Sequence, residues 1–163
     1  MKVAVEGFGQ SFLAWNLAGC VRGAWIYADR DAPYRLWNRV IPVAERWLDI
    51  PIEAPVVFLD HAEPEVAPDV LILSAAPDPL SVCSVRSRLE RARGKTVWVM
   101  NGYEREVGKP WPFGEHEVPL ATIPWDERNA TSYLMGKPLT MRDPSFRRHW
   151  MPILEVLSLV DLV

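Results

Sequence analysis

Short apolar runs recur along this chain with segments of helical period between them, and that alternation restricts the fold more than any other feature. Lys2 to Val5, Ala24 to Ala28, Val56 to Leu59, Val70 to Ala75, Val97 to Met100 and Ala121 to Ile123 read as strands. Gln10 to Ala18 reads as a helix, and so does Pro79 to Arg93, with an early proline, late arginines and Gly94 as a stop. Leu36, Trp37, Val40, Val43, Ala44 and Trp47 fall at helical spacing, which predicts another helix over Tyr34 to Leu48, kinked at Pro42. Glu127 to Met135 and a longer stretch from Pro144 to Leu159 predict the closing helices. Ala62 to Pro68 and Tyr103 to His116 are proline-bearing loops. The pattern predicts a three-layer α/β fold, a mainly parallel sheet with helices on both faces. Residues 1–163 make one domain with one core.

The formal net charge of -3 shows no basic excess, so no nucleic-acid partner is expected. Arg86, Arg88, Arg91 and Arg93 read as a solvated helix face. No apolar run approaches the length of a membrane helix and no signal peptide is visible, so the expected location is cytoplasmic. Cys20 and Cys83 lie in apolar-looking stretches without metal-ligand spacing, and read as buried free thiols. Trp15, Trp25, Trp37, Trp47 and Trp98 are core candidates, whereas Trp111, Trp125 and Trp150 are candidates for a contact surface. The apolar end, Trp150 to Val160, lacks the basic residues of a membrane-lying helix, and is expected to pack on the sheet or on a partner subunit.

The informative site is the turn Gly7-Phe8-Gly9-Gln10-Ser11-Phe12, which joins the first strand to the first helix. Free N–H groups and the helix dipole converge there, which makes an anion site. Three readings fit. In a phosphate-binding P-loop, a lysine neutralises the phosphates and a Ser/Thr hydroxyl holds magnesium. Here the lysine position is Gln10, and only Ser11 remains as a magnesium ligand. In a dinucleotide-binding Rossmann turn Gly7 and Gly9 fit, Phe12 stands where a third glycine belongs, and Asp29 lies at the right distance to hold a ribose of NAD. A plain strand-to-helix turn without any ligand has the same sequence.

Further segments favour the P-loop reading. Ile26-Tyr27-Ala28-Asp29-Arg30-Asp31-Ala32-Pro33, Val56 to Asp60, Asp69 to Val82, Val97 to Glu104, Ala121 to Asp126 and Gly136 to Leu139 resemble, in order, successive segments of the MinD/ParA family of deviant P-loop ATPases. The resemblance implies a nucleotide site at Gly7, Phe8, Gly9, Gln10, Ser11 and Phe12, with Asn101 against adenine. It further implies a metal set of Ser11, Asp29, Asp31 and Asp60, and ATP or ADP with Mg as the cofactor. For the aspartates, strand-end caps and surface ion pairs are the structural alternative. The departures are equally plain. The turn is short and carries no lysine, and His61-Ala62-Glu63-Pro64 replaces the usual switch sequence after Asp60. A lost phosphate-facing donor costs about 3–4 kcal/mol of transition-state stabilisation. The expected protein is therefore a non-hydrolysing relative that acts through a protein partner or as a homodimer. A divergent ATPase drawing a lysine from Lys2, Lys95, Lys109 or a partner is the alternative, and an NAD-type protein is the third.

Other chemistry-bearing residues point nowhere specific. His61, His116 and His149 have no metal-ligand spacing, and Ser81, Ser84 and Ser87 lie on a helix without a nucleophile-elbow context.

Overall fold

The computed structural model describes residues 1–29, 32, 36–60, 66–104, 112–113 and 118–163. Its strands are β1 (Lys2–Gly7), β2 (Trp25–Ala28), β3 (Val43–Ala44), β4 (Val57–Asp60), β5 (Val70–Ala75), β6 (Lys95–Asn101) and β7 (Ala121–Ile123). They form one seven-stranded sheet in the order β3-β2-β4-β1-β5-β6-β7. Every pairing is parallel. The helices are α1 (Gln10–Cys20), α2 (Pro79–Leu89), α3 (Arg128–Met135), α4 (Leu139–Arg142), α5 (Pro144–Arg147) and α6 (Met151–Val156).

Strand alternation sorts the side chains into two layers. On one face Val3, Val5, Phe58, Val70, Ile72 and Val99 meet α1 and the C-terminal helices in the largest core cluster. On the other face α2 brings Val82 and Val85 onto Leu73, Ala75 and Met100. Ala4, Tyr27, Val57 and Leu59 are covered there by Trp47, Ile50, Ala54 and Val66, with no α-helix over them among the described residues. No helix among the described residues is long and apolar enough to cross a membrane.

The structure corrects several expectations. No helix spans 36–48, where the chain instead forms β3 and a 3-10 turn at Trp47–Asp49. The cause is Asn38. Its Oδ1 accepts from Ile41 N at 3.1 Å and from Trp15 Nε1 at 3.1 Å, while its Nδ2 donates to Ile41 O at 2.6 Å. That side-chain turn competes with helical hydrogen bonds. Ile26 N then donates to Pro42 O at 3.0 Å, which draws the chain alongside β2. Trp37 keeps its inward role, with its ring 4.3 Å from Trp15.

The predicted helix over Pro144 to Leu159 is broken by a 3-10 turn at Arg148–Trp150, just ahead of Pro152, whose ring cannot continue a regular helix. Helix α2 stops at Leu89 rather than Arg93. Trp150, expected on a contact surface, is fully buried, while Trp125 is 77% exposed and Trp111 lies outside the described residues. Cys20 is buried but Cys83 is exposed, because it sits on the outer face of α2. Both are free thiols. The C-terminal stretch packs inward through Ile153, Leu154, Leu157 and Leu159.

Candidate functional site

The C-terminal ends of the strands bring together the turn after β1, Asp60 at the end of β4, Ser74 near the end of β5 and Asn101 at the end of β6. This is the edge where open parallel sheets hold ligands. Gly7 (φ 104°) and Gly9 (φ 67°) both take left-handed backbone. Gly9 caps α1 with no side-chain hydrogen bond, so the first-turn N–H groups keep their anion-binding character. The turn is tied down from below: Phe8 N–H donates to Ser74 O at 3.1 Å, and Ser74 Oγ donates to Phe8 O at 2.7 Å. A Cβ on Gly9 would lie 2.5 Å from Asn101 Nδ2, so Asn101 packs directly under the turn.

Gln10, the first residue of α1, lies beside the end of β4. Its Nε2 donates to Asp60 Oδ1 at 3.0 Å, and Asp60 is only 4% exposed. An amide thus stands between the turn and the buried carboxylate. A hydrogen bond to a charged group contributes about 1.5–3 kcal/mol. Ser11 is half-buried at the start of α1. Phe12 points away from the turn, with its ring 6.0 Å from Trp150, which explains why glycine is not needed at that position.

Asp29 follows directly after β2, whose Ala28 is in register with Asp60, so two of the four candidate metal ligands sit at the ends of adjacent strands. Asp31 lies outside the described residues, as do His61, His116 and Lys109. Among the described residues, no group of three or more His, Cys, Asp or Glu side chains could hold a metal ion. Magnesium retains several waters and phosphate oxygens, so Ser11 with Asp60 could hold it only together with a bound polyphosphate.

The remaining candidate lysines are at the wrong end. Lys2 opens β1 beside Asp69, and Lys95 opens β6 with its Nζ on Val156 O at 2.5 Å. The length of β1, about 20 Å at 3.3 Å per residue, separates Lys2 from the turn. Ser81 is structural: its Oγ accepts from Ala76 N at 2.8 Å and its N–H donates to the Asp78 cap of α2. Arg88 pairs with Glu6 and Arg86 with Glu90, so the arginine face is engaged within the fold. His149 is exposed next to Phe146. Ser74 was not singled out as a site residue; the available signal was one hydroxyl near the end of an otherwise apolar strand.

An ionic cluster lies after β7. Arg128 bridges Asp126 and Asp143, and Asp143 Oδ1 caps α5 through Ser145 N at 2.7 Å. Ser145 and Phe146, with Arg128, hold the Asp143 carboxyl down at about 2, below its ordinary 3.8. A depressed carboxylate contributes stability that is fully present above its unfolded value and is lost as pH falls through its folded value. Asp143→Asn should keep a cap but lose the charge. Its melting temperature should start lower at pH 7 and fall less than wild type between pH 4 and pH 2. Parallel melting curves across that window would contradict the assignment.

An all-parallel sheet with β4 inserted between β1 and β2, and a glycine turn running from central β1 into a helix, defines a three-layer α/β fold of the P-loop NTPase type. In the Rossmann order the first two strands are neighbours. Here β4 intervenes, which moves Asp29 one strand too far from the turn to hold a ribose in the Rossmann manner. The fold is MinD/ParA-like. Solved structures similar to it include the MinD cell division protein of Aquifex aeolicus, with a TM-score of 0.63 and 13% identity, covering 96% of this chain and 97% of that one. The MinC:MinD cell division protein complex of the same organism gives 0.62 and 10%, with 96% and 95% covered. The cell division ATPase MinD of Pyrococcus furiosus gives 0.61 and 15%, with 96% and 98% covered. No family model and no curated protein matches the chain in sequence. At such identities the likeness establishes the fold alone.

Proposed function

We propose that this chain is a MinD/ParA-fold protein without ATP hydrolysis, acting in regulation or positioning through protein–protein contacts at the C-terminal edge of its sheet. The observation that carries the reading is the Gln10–Asp60 hydrogen bond. A neutral amide occupies the position of the phosphate-facing lysine and is itself bonded to the carboxylate at the end of β4. Lys2 and Lys95 stand at the opposite edge, so neither compensates. Among the described residues, a polyphosphate entering the turn would meet N–H groups and neutral polar side chains such as Gln10 and Ser11.

The same edge carries apolar side chains open to contact. Phe8 is 52% exposed, Leu80 83% and Trp125 77%, following β1, β5 and β7 respectively. Aromatic side chains of this kind anchor interfaces. One of the similar structures is itself a MinC:MinD complex, which favours a protein partner, with a homodimer as the simplest case. In this reading the protein is cytoplasmic, residues 1–163 act as one domain, and nucleotide, if bound with Mg, is a structural ligand near Ser11 and Asn101.

Light scattering on the full chain tests the contact surface. The expected result is a dimer that dissociates in the Phe8→Ser/Trp125→Ser variant while its melting temperature stays within a few degrees of wild type. A dimer indifferent to that variant would move the interface elsewhere.

A further inference from the structure

The C-terminal edge of the sheet is acidic as well as apolar. Asp60 ends β4, and Asp29, Asp78, Glu104 and Glu127 follow β2, β5, β6 and β7. The cation beside Glu127, Arg128, is taken up by Asp126 and Asp143. Trp125, 77% exposed, comes just before Asp126 and the exposed Glu127. Two such edges set face to face would bring like charges together, which opposes a symmetric contact.

The opposite charge gathers at the other end of the molecule. Helix α2 returns from the end of β5 to the start of β6. Arg88, Arg91, Arg93 and Lys95 collect there against Glu90. Beside that end of α2 is a hollow of about 440 Å3, lined by Leu71, Ser84, Arg88, Arg91 and Ala92. Arg88 is paired with Glu6. Arg91 Nε donates to Ser87 O at 2.9 Å, a neutral partner from its own helix. Neither Arg91 nor Arg93 forms an ion pair among the described residues.

We propose that Trp125 of one copy enters the hollow beside α2 of a second copy, with Glu127 of the first copy against Arg91 of the second. This contact rests on the reading of the C-terminal edge as an interaction surface, and assigns the surface it meets. Leu71 and Ala92 give the indole an apolar floor, and guanidinium groups favour the face of a tryptophan ring. The contact is heterologous, so every dimer keeps one unused tryptophan and one unused hollow, and assembly continues as concentration rises.

Sedimentation velocity on the full chain tests it. Wild type should pass from dimers to larger species with concentration, and salt should weaken the association because both charged partners are exposed. Trp125→Ser and Arg91→Glu should each weaken self-association by about tenfold or more. Both positions are exposed, so both variants should keep the wild-type melting temperature within a few degrees. Mixed in equal amounts, they should form heterodimers that do not grow, because the intact Trp125 of one variant meets the intact hollow of the other. A monomeric wild type, a wild-type dimer that stays closed at every concentration, or a mixture that fails to associate would overturn the proposal. If Trp125→Ser dissociates the protein and mixing does not restore it, the C-terminal edge remains a contact surface and only its assigned partner surface is wrong.

Discussion

Trp150→Ala is expected to destabilise the protein by about 3–5 kcal/mol in urea denaturation, the range for truncating a buried aromatic. Trp150 is fully buried and sits between Phe12 of α1 and Phe146 of α5, with ring centroids 6.0 and 6.1 Å away. It joins the C-terminal helices to the helix that follows the glycine turn. Domains of this size hold about 5–15 kcal/mol in total, so the variant should sit close to unfolding. Trp150→Phe should cost much less. The indole Nε1 is buried without a partner among the described residues, and an unpaired buried donor costs about 1–3 kcal/mol. Phenylalanine removes that burden while leaving a small void. Trp15→Phe should be the worse of the two, because Trp15 Nε1 donates to Asn38 Oδ1, the atom that organises the turn before β3. A loss under about 0.5 kcal/mol for Trp150→Ala, typical of a surface site, would return Trp150 to the contact surface that its sequence position suggested.

The second large effect is expected at Gly7. Its φ of 104° lies where side chains rarely go, and a Cβ there would fall 2.4 Å from the carbonyl oxygen of Ser74. Gly7 and Ser74 are in register across β1 and β5, at the centre of the sheet. The backbone strain of Gly7→Ala costs about 1–3 kcal/mol. Relieving the clash means moving a central strand, at an overpacking cost of about 1–3 kcal/mol more. Gly94→Ala supplies the control, since its φ is 95° but nothing lies within 4 Å of the new Cβ. It should show the strain alone. Equal losses in the two variants would mean that β1 and β5 do not approach as closely as described.

Much of the fold was legible because it is written in local pattern. Apolar runs bounded by glycine, proline and aspartate became β1, β2, β4, β5, β6 and β7 with ends shifted by a few residues at most. Strand β3 was not legible. Its residues keep helical spacing, and what overrides that spacing is a side-chain turn at Asn38 that closes only when Trp15 arrives from α1. Trp150 misled for a related reason: its segment is apolar on more than one side, and burial depends on which side meets α1. At the site, Gln10 and Asp60 were each readable as P-loop positions, but their hydrogen bond joins residues 50 apart in sequence. Residue identity announced the missing charge; only the three-dimensional arrangement supplied its replacement contact.

Phosphate release from MgATP by the purified wild-type chain, set beside Gln10→Ala, tests the proposed absence of hydrolysis most directly. With no cation at position 10 and Phe8 N–H held by Ser74, the two proteins should release phosphate at the same background rate. Wild-type turnover well above that of Gln10→Ala would mean that the turn still cleaves nucleotide and that Gln10 takes part.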